Sequence, residues 1–284
     1  MDIIQAFDDY LRHLNKENQS VRKKDSEDRY SASGAGMCLR KHHFANKGYP
    51  RGEIKPISLR AMRLGTIFGA DFEDAMKWFF KQEFESVTLF TEEYIQHPTL
   101  PIGGHFDILI VDNKGDGYLY DVKTSHDFKY KKLFGRNRDT NPSTNYQQQL
   151  GSYAWILDEM YKHKGGPMYT SDSNGKMKPL CKKIVYMANA YFNKNTSNMQ
   201  MMETPLDFIE IAEEYWERLL SYEQHDEIPA LGDISPAYVW ECKGYCDFIE
   251  HCDSPHIVHK ETKTPNIITK QIIKNIIKKE AKIA

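Results

Sequence analysis

Apolar residues recur in this chain with two periods, and the contrast is sharpest between residues 58 and 124. Over residues 58–84 the spacing is helical: Leu59, Met62, Phe68, Phe72, Ala75, Met76 and Phe79 fall near one face. That pattern predicts a helix capped at Ser58, with this set turned towards a core. A strand signal follows over residues 87–96. Two Ile-, Val- and Tyr-rich runs then cover residues 106–111 and 118–124, with Lys114, Gly115, Asp116 and Gly117 offering turn chemistry between them. The pair reads as a β-hairpin.

The same periods organise the rest. Ile3, Ile4, Phe7, Tyr10, Leu11 and Leu14 form an amphipathic stripe over residues 1–16, with Asp2 as its cap, and residues 15–28 read as a polar loop. In residues 31–44, Ser31 or Ser33 offers a cap for a helix carrying Cys38 and Arg40 near its start. Helices are predicted over 144–162 and 206–222, a strand over 183–192 and an exposed loop over 163–181. The order predicts an α/β fold, a mixed β-sheet flanked by helices.

Composition narrows the class. With 284 residues, 40% apolar and 27% charged, the chain suits one elaborated soluble domain. No apolar run approaches the roughly 20 residues of a membrane span, and no signal-peptide pattern opens the sequence, so the expected location is cytoplasmic. A net charge of −2 neither demands nor excludes nucleic acid. Five cysteines in such a chain point to thiols or metal ligands, and away from a disulfide framework.

The hairpin holds the candidate chemistry. Asp107 and Asp121 interrupt apolar strands, and Lys123 shares a face with Asp121 because side chains alternate along a strand. Two carboxylates and an ammonium gathered in a partly dry place are costly unless a divalent metal draws them together. The plainer reading is an edge hairpin with solvated charges. After it, residues 126–140 interleave aromatics with Lys129, Lys131, Lys132, Arg136 and Arg138, a segment suited to phosphate contact and base stacking. Glu73 stands one turn after Gly69, a residue that permits close approach of another backbone. Gln149 and Tyr153, four apart, share a helix face. Cys242, Cys246 and Cys252, with the distant Cys38, supply the four thiolates of an iron–sulfur cluster. Zinc, with His251 or His256 in reserve, and unliganded thiols are the alternatives. Cys181 stands apart as an ordinary buried thiol. Residues 254–284 carry lysines and Ile pairs and read as a basic, solvated amphipathic helix.

These residues, in this order, resemble the PD-(D/E)XK nuclease superfamily, especially RecB-like members with an iron–sulfur cluster. CRISPR-associated iron–sulfur exonucleases, AddB-like nuclease domains and related phage exonucleases are of this kind. The matching pieces are S-x(6)-C-L-R-K at 31–41, G-x(3)-E at 69–73, G-x-x-D at 104–107, D-V-K at 121–123, Q-L-x-x-Y at 149–153 and C-x(3)-C-x(5)-C at 242–252.

The resemblance implies a restriction-endonuclease-like core over residues 31–253, after an N-terminal helix and loop at 1–30 and before a basic tail at 254–284. Asp107, Asp121, Glu73 and the Val122 carbonyl would bind Mg²⁺ or Mn²⁺. Lys123 would orient the attacking water or steady the phosphate, and Gln149 and Tyr153 would support the site. Cys38, Cys242, Cys246 and Cys252 would hold a 4Fe–4S cluster, with zinc as the alternative, joining the N- and C-terminal parts. Arg40 and the basic segment would contact DNA with a free end or a single-stranded region. Such members often carry His four residues after the helix glycine. Here Gly69 follows Gly65, and Glu73 matches lambda-exonuclease-like relatives instead. The expected activity is metal-dependent DNA hydrolysis, chiefly exonucleolytic, in recombination, repair or phage DNA processing. The rivals are a structure-specific endonuclease on the same fold and a catalytically silent DNA-binding iron–sulfur protein.

Overall fold

The computed structural model describes residues 3–25, 30–83, 87–136, 138–139, 144–163, 169–171, 177–233 and 239–253. A mixed sheet of six strands runs through it: β1 (Tyr30–Ser31), β2 (Thr88–Gln96), β3 (Ile102–Val111), β4 (Asp116–Ser125), and two later strands, Lys183–Asn193 and Met199–Glu203. Helices α1 (Ile3–Asp25), α2 (Leu39–Asn46) and α3 (Pro56–Glu83) occupy the first third. They are followed by α4 (Asp127–Phe134), α5 (Asn145–Lys162), α6 (Phe208–Gln224) and α7 (Val239–Gly244). A small two-stranded sheet, β5 (Tyr169–Ser171) with β6 (Met177–Pro179), lies between α5 and the strands β7 (Lys183–Asn193) and β8 (Met199–Glu203).

One feature of the pairing positions the site. β3 pairs antiparallel with β2 along most of its length, but with β4 only over Ile108–Val111 against Tyr120–Gly117. At its other end it pairs parallel with β1 through Ile102 and Gly103. β4 then runs parallel to β7 as far as Ser125 against Asn193. Beyond Ile108 and Tyr120, β3 and β4 are therefore no longer paired with each other, and the sheet forks. Extending their register by one step sets Asp107 across from Asp121. Gly115, at φ +86°, turns the hairpin, and the Asp112 carboxylate takes the Lys114 and Asp116 N–H groups at 2.9 Å each.

Helix α5 closes one face. Residues from Gln147 to Leu157 are buried, and Gly151 lies so close to α6 that an added Cβ would stand 2.0 Å from the Phe208 carbonyl oxygen. The buried Trp216 indole donates to Ser152 Oγ at 2.8 Å across that contact. Phe106, Leu109 and Leu119 of the hairpin meet Leu150, Tyr153, Ile156 and Met187 in the core. α3 approaches the sheet through Phe68, stacked 4.2 Å from the Phe192 ring.

Several expectations change. α1 runs to Asp25, through most of the residues read as loop, and Ile3, Ile4, Phe7 and Tyr10 of its stripe are exposed while Leu11 is buried. α3 begins at Pro56, a residue pre-set for a first turn, so Ser58 is not its cap. Of its apolar set, Met62 is 54% and Phe79 41% exposed. Neither Ser31 nor Ser33 caps α2. A short 3₁₀ turn, Ala32–Gly34, intervenes and Cys38 takes the cap position without a side-chain bond. The loop at 163–181 contains the β5–β6 pair. The basic segment at 126–140, given no element in the sequence, begins as α4. Residues 254–284, the expected tail, lie outside the described residues. Among those described, no helix is long and apolar enough to cross a membrane.

Candidate functional site

The fork brings the hairpin acids together. Asp121 is 0% exposed and surrounded by donors. Its Oδ1 accepts from Lys123 Nζ at 2.9 Å and Gln149 Nε2 at 3.0 Å. Its Oδ2 accepts from Asn189 Nδ2 at 3.2 Å and lies 2.7 Å from Lys123 Nζ. Asp107 Oδ2 accepts the Val122 N–H at 2.6 Å, spanning the gap where the ladder has ended. Gln149 also donates to the Tyr153 hydroxyl at 3.3 Å, so the two helix residues form one buried unit behind Asp121.

The electrostatics follow from burial and crowding. Burial, reinforced by the Asp121 carboxylate, pushes the Asp107 carboxyl up to about 7, against the pull of Lys123. Burial likewise raises Asp121, with Lys123 opposing it. For Lys123, burial alone would depress the ammonium. Asp121 and Asp107 outweigh it and hold the group above the ordinary lysine range. The site is thus a pair of carboxyl groups in a dry place sharing one cation. A divalent ion suits such a donor set, because it adds the positive charge the acids lack.

Glu73 lies at the border of this group. Its Oε1 accepts from Lys77 Nζ at 2.6 Å and from the Thr91 hydroxyl of β2 at 2.5 Å. Burial would raise it, but those two donors keep it below the ordinary range. It faces β2 rather than the hairpin itself, while Asp71 is exposed. The close approach expected at Gly69 is not made. Nothing lies within 4 Å of a Cβ built there, and Gly65 is the glycine near β4, where an added Cβ would stand 3.4 Å from Thr124 Oγ1.

Four residues of this neighbourhood went unread in the sequence. Asn189, fully buried between Ala188 and Ala190 on β7, holds Asp121 and is itself held by the Thr204 hydroxyl at 3.1 Å. An Asn between two alanines in the middle of an apolar strand was the available signal. Tyr146 lies under two ammonium groups, Lys129 at 4.0 Å and Lys123 at 4.9 Å. Glu92 occupies the β2 position facing Asp107 in register, skipped by the ladder, with a left-handed φ of 52°. Burial and the Asp107 and Glu73 charges push its carboxyl up to about 7. No pattern in a strand of nine residues marks such a backbone.

The basic residues divide. Lys129, Lys131 and Lys132 ride on α4, with Lys131 bonded to Asp127 at 2.6 Å, and Arg136 and Arg138 are exposed beyond its end. Arg40 is elsewhere, so it does not join them. Its Nε donates to the Pro229 carbonyl at 2.8 Å, and its Nη1 pairs with Asp253 and lies 3.8 Å from Cys252 Sγ.

Cys38, Cys242, Cys246 and Cys252 line one narrow cavity together with Arg40, Lys41, Phe44, Leu231 and Glu241. The cavity joins two distant stretches. Glu241 takes the Cys38 N–H, Lys41 Nζ donates to the Tyr245 carbonyl at 3.1 Å, and Gly52 N–H to the Asp247 carbonyl at 2.7 Å. None of the cysteines forms a disulfide. Among the described residues no three His, Cys, Asp or Glu side chains are drawn into ligand spacing. Four thiols around one cavity are nonetheless a donor set that fits a tetra-thiolate metal group. Burial pushes the Cys38 thiol up to about 11 and raises Cys246. Cys181 is buried in the core, away from this set.

No family profile and no curated protein matches this chain. Among solved structures, one titled "Crystal structure of SSO0001" is similar at 18% identity with a TM-score of 0.47, over 89% of this chain and 97% of the other.

Proposed function

We propose that the chain is a DNA nuclease of the PD-(D/E)XK kind, dependent on Mg²⁺ or Mn²⁺, and that it acts chiefly as an exonuclease. The observation that carries the reading is the fork of β3 and β4, where Asp107, Asp121 and Lys123 meet with Gln149 and Tyr153 behind them. Asp107, Asp121 and the Val122 carbonyl are the groups that would hold the ion, with Glu73 and Glu92 beside them. The ion would supply an activated water and charge stabilisation at phosphorus. Lys123 places a fixed positive charge next to Asp121, where it can meet a phosphate oxygen. Gln149 and Asn189 hold Asp121 in one orientation, one on each oxygen. The cysteine lobe would hold a 4Fe–4S cluster through Cys38, Cys242, Cys246 and Cys252, or zinc through the same thiols, and so tie α2 to α7.

The test is cleavage of end-labelled linear DNA and of covalently closed circular DNA, with Mg²⁺, with Mn²⁺ and with excess chelator. Loss of linear DNA only when metal is present, with circles intact, is the expected result. Equal loss in chelator removes the metal-dependent reading, and cut circles replace the exonuclease with an endonuclease.

A further inference from the structure

Helix α4 starts two residues after β4 ends and has two unlike faces. Inward, the Tyr130 and Phe134 rings meet tilted at 4.9 Å, and Phe134 meets the Tyr191 ring of β7 edge-on at 5.5 Å, which fixes the helix against the sheet. Outward, Phe128 is 73% exposed and carries the Lys132 ammonium 4.9 Å above its ring. Phe128, Lys131 and Lys132 share this outward face by helical spacing. Beside them Lys129 covers Tyr146, whose ring also lies 4.9 Å from Lys123 Nζ. Alternating cations and rings therefore lead from the outer face of α4 to the lysine of the fork. Phe128 is five residues past Lys123, so their Cα atoms lie within about 17 Å.

A single exposed Phe is ordinary on a protein surface. This one is set among lysines, on a fixed helix, at the edge of a site read as cutting DNA. A duplex keeps its base faces stacked inside and offers this ring nothing, whereas an unpaired strand exposes both a phosphate line and free base faces. We propose that the outer face of α4 is the binding platform for an unpaired DNA strand entering the site, with Phe128 stacking a base and Lys129 and Lys132 meeting phosphates. The proposal rests on the nuclease reading and names the strand form that this site receives.

The experiment is fluorescence anisotropy with the full chain in chelator, using a labelled oligodeoxythymidine and a blunt duplex of equal length. Phe128→Ala should weaken binding of the unpaired strand about tenfold, within what loss of one base–aromatic stack produces, and leave duplex binding within about twofold. Phe128→Trp should restore it. Lys132→Gln should weaken both forms alike and lower the salt dependence. Unchanged unpaired-strand binding in Phe128→Ala, an equal loss on both DNA forms, or no wild-type binding to the unpaired strand overturns the platform. Metal-dependent cleavage by the wild type is scored separately. Phe128-dependent binding without any cleavage keeps the platform and removes the nuclease reading. Cleavage without Phe128 dependence does the reverse.

Discussion

The forked strands and the cysteine lobe differ in how far along the chain they recruit their residues. Asp107, Asp121 and Lys123 come from one hairpin, and once β3 and β4 are in register their meeting is unavoidable. Cys38 and Cys242 stand 204 residues apart (242 − 38), so their approach must overcome the closure entropy of most of the chain. The anchoring differs to match. Asp121 is held by three separate side chains within the sheet and α5. The lobe's two stretches are fastened by the Glu241 carboxylate on the Cys38 N–H, by Lys41 on the Tyr245 carbonyl, by Gly52 with Asp247, and by one buried aromatic, Phe248, against Phe44 at 6.1 Å. Burying one such ring contributes only about 2–3 kcal/mol. The fork is thus a consequence of the sheet, while the lobe is where a metal group of the proposed kind would add most.

The comparison can be broken most directly at the fork. Asp121→Asn keeps the volume but removes the charge that Lys123, Gln149 and Asn189 surround. Metal-dependent DNA cleavage should fall by more than about a hundredfold, since loss of a direct ligand exceeds the roughly 10–100-fold typical of a supporting partner. Unchanged turnover with native circular dichroism would show that the fork is not the catalytic site. At the lobe, protein purified without oxygen should contain iron and acid-labile sulfide in similar amounts, and Cys246→Ser should lose most of both. Hydrogen exchange should then quicken over residues 239–253 and stay slow over 102–125. Stoichiometric zinc without sulfide would make the lobe a zinc staple.

Smaller effects sharpen the picture. Asn189→Ala leaves Asp121 Oδ2 to Lys123 alone, and should weaken metal affinity, measured by calorimetry, by roughly 10–100-fold. Glu73→Gln should lower cleavage about tenfold, because Glu73 is bonded to Lys77 and Thr91 and would act through β2 or a bound water. The exposed Asp71→Asn should change it by less than about twofold. Equal effects would take Glu73 out of the site.

The smallest effect concerns pH. With its carboxyl raised from the usual 3.8 to about 7, Asp107 binds its proton more tightly folded than unfolded. Its contribution to stability is complete below pH 3.8 and is lost as pH rises to about 7. Chemical denaturation of metal-free protein between those limits should show that decline, and Asp107→Asn should make it shallower, the raised Glu92 and Asp121 carboxyls keeping the remainder.

Much of this layout was legible along the chain. The hairpin, α5 and β7 stand where periodicity places them, within a few residues, because each is a short-range pattern with clear turn or cap chemistry. The opposed acids and Lys123 follow from the same alternation. Helix α4 was not legible: its charges and rings carry no clear period, and the packing of Phe134 on Tyr191 of β7, with Tyr130 beside it, is a contact between distant residues. The apolar stripe of α3 overstated its burial, since a stripe says which residues share a face and not how much surface waits opposite.

What the sequence alone determined is therefore the set of elements and the acids and lysine of one hairpin, for local spacing governs local structure. Tertiary structure decided the rest. It stopped the β3–β4 ladder one residue short of Asp107, set Asn189 behind Asp121 and gave Glu92 its left-handed backbone. It also drew Arg40 away from the basic segment and into the cysteine lobe. Each of these depends on contacts between residues far apart in the chain, and no periodicity within a single element encodes which distant partner will fill the space beside it.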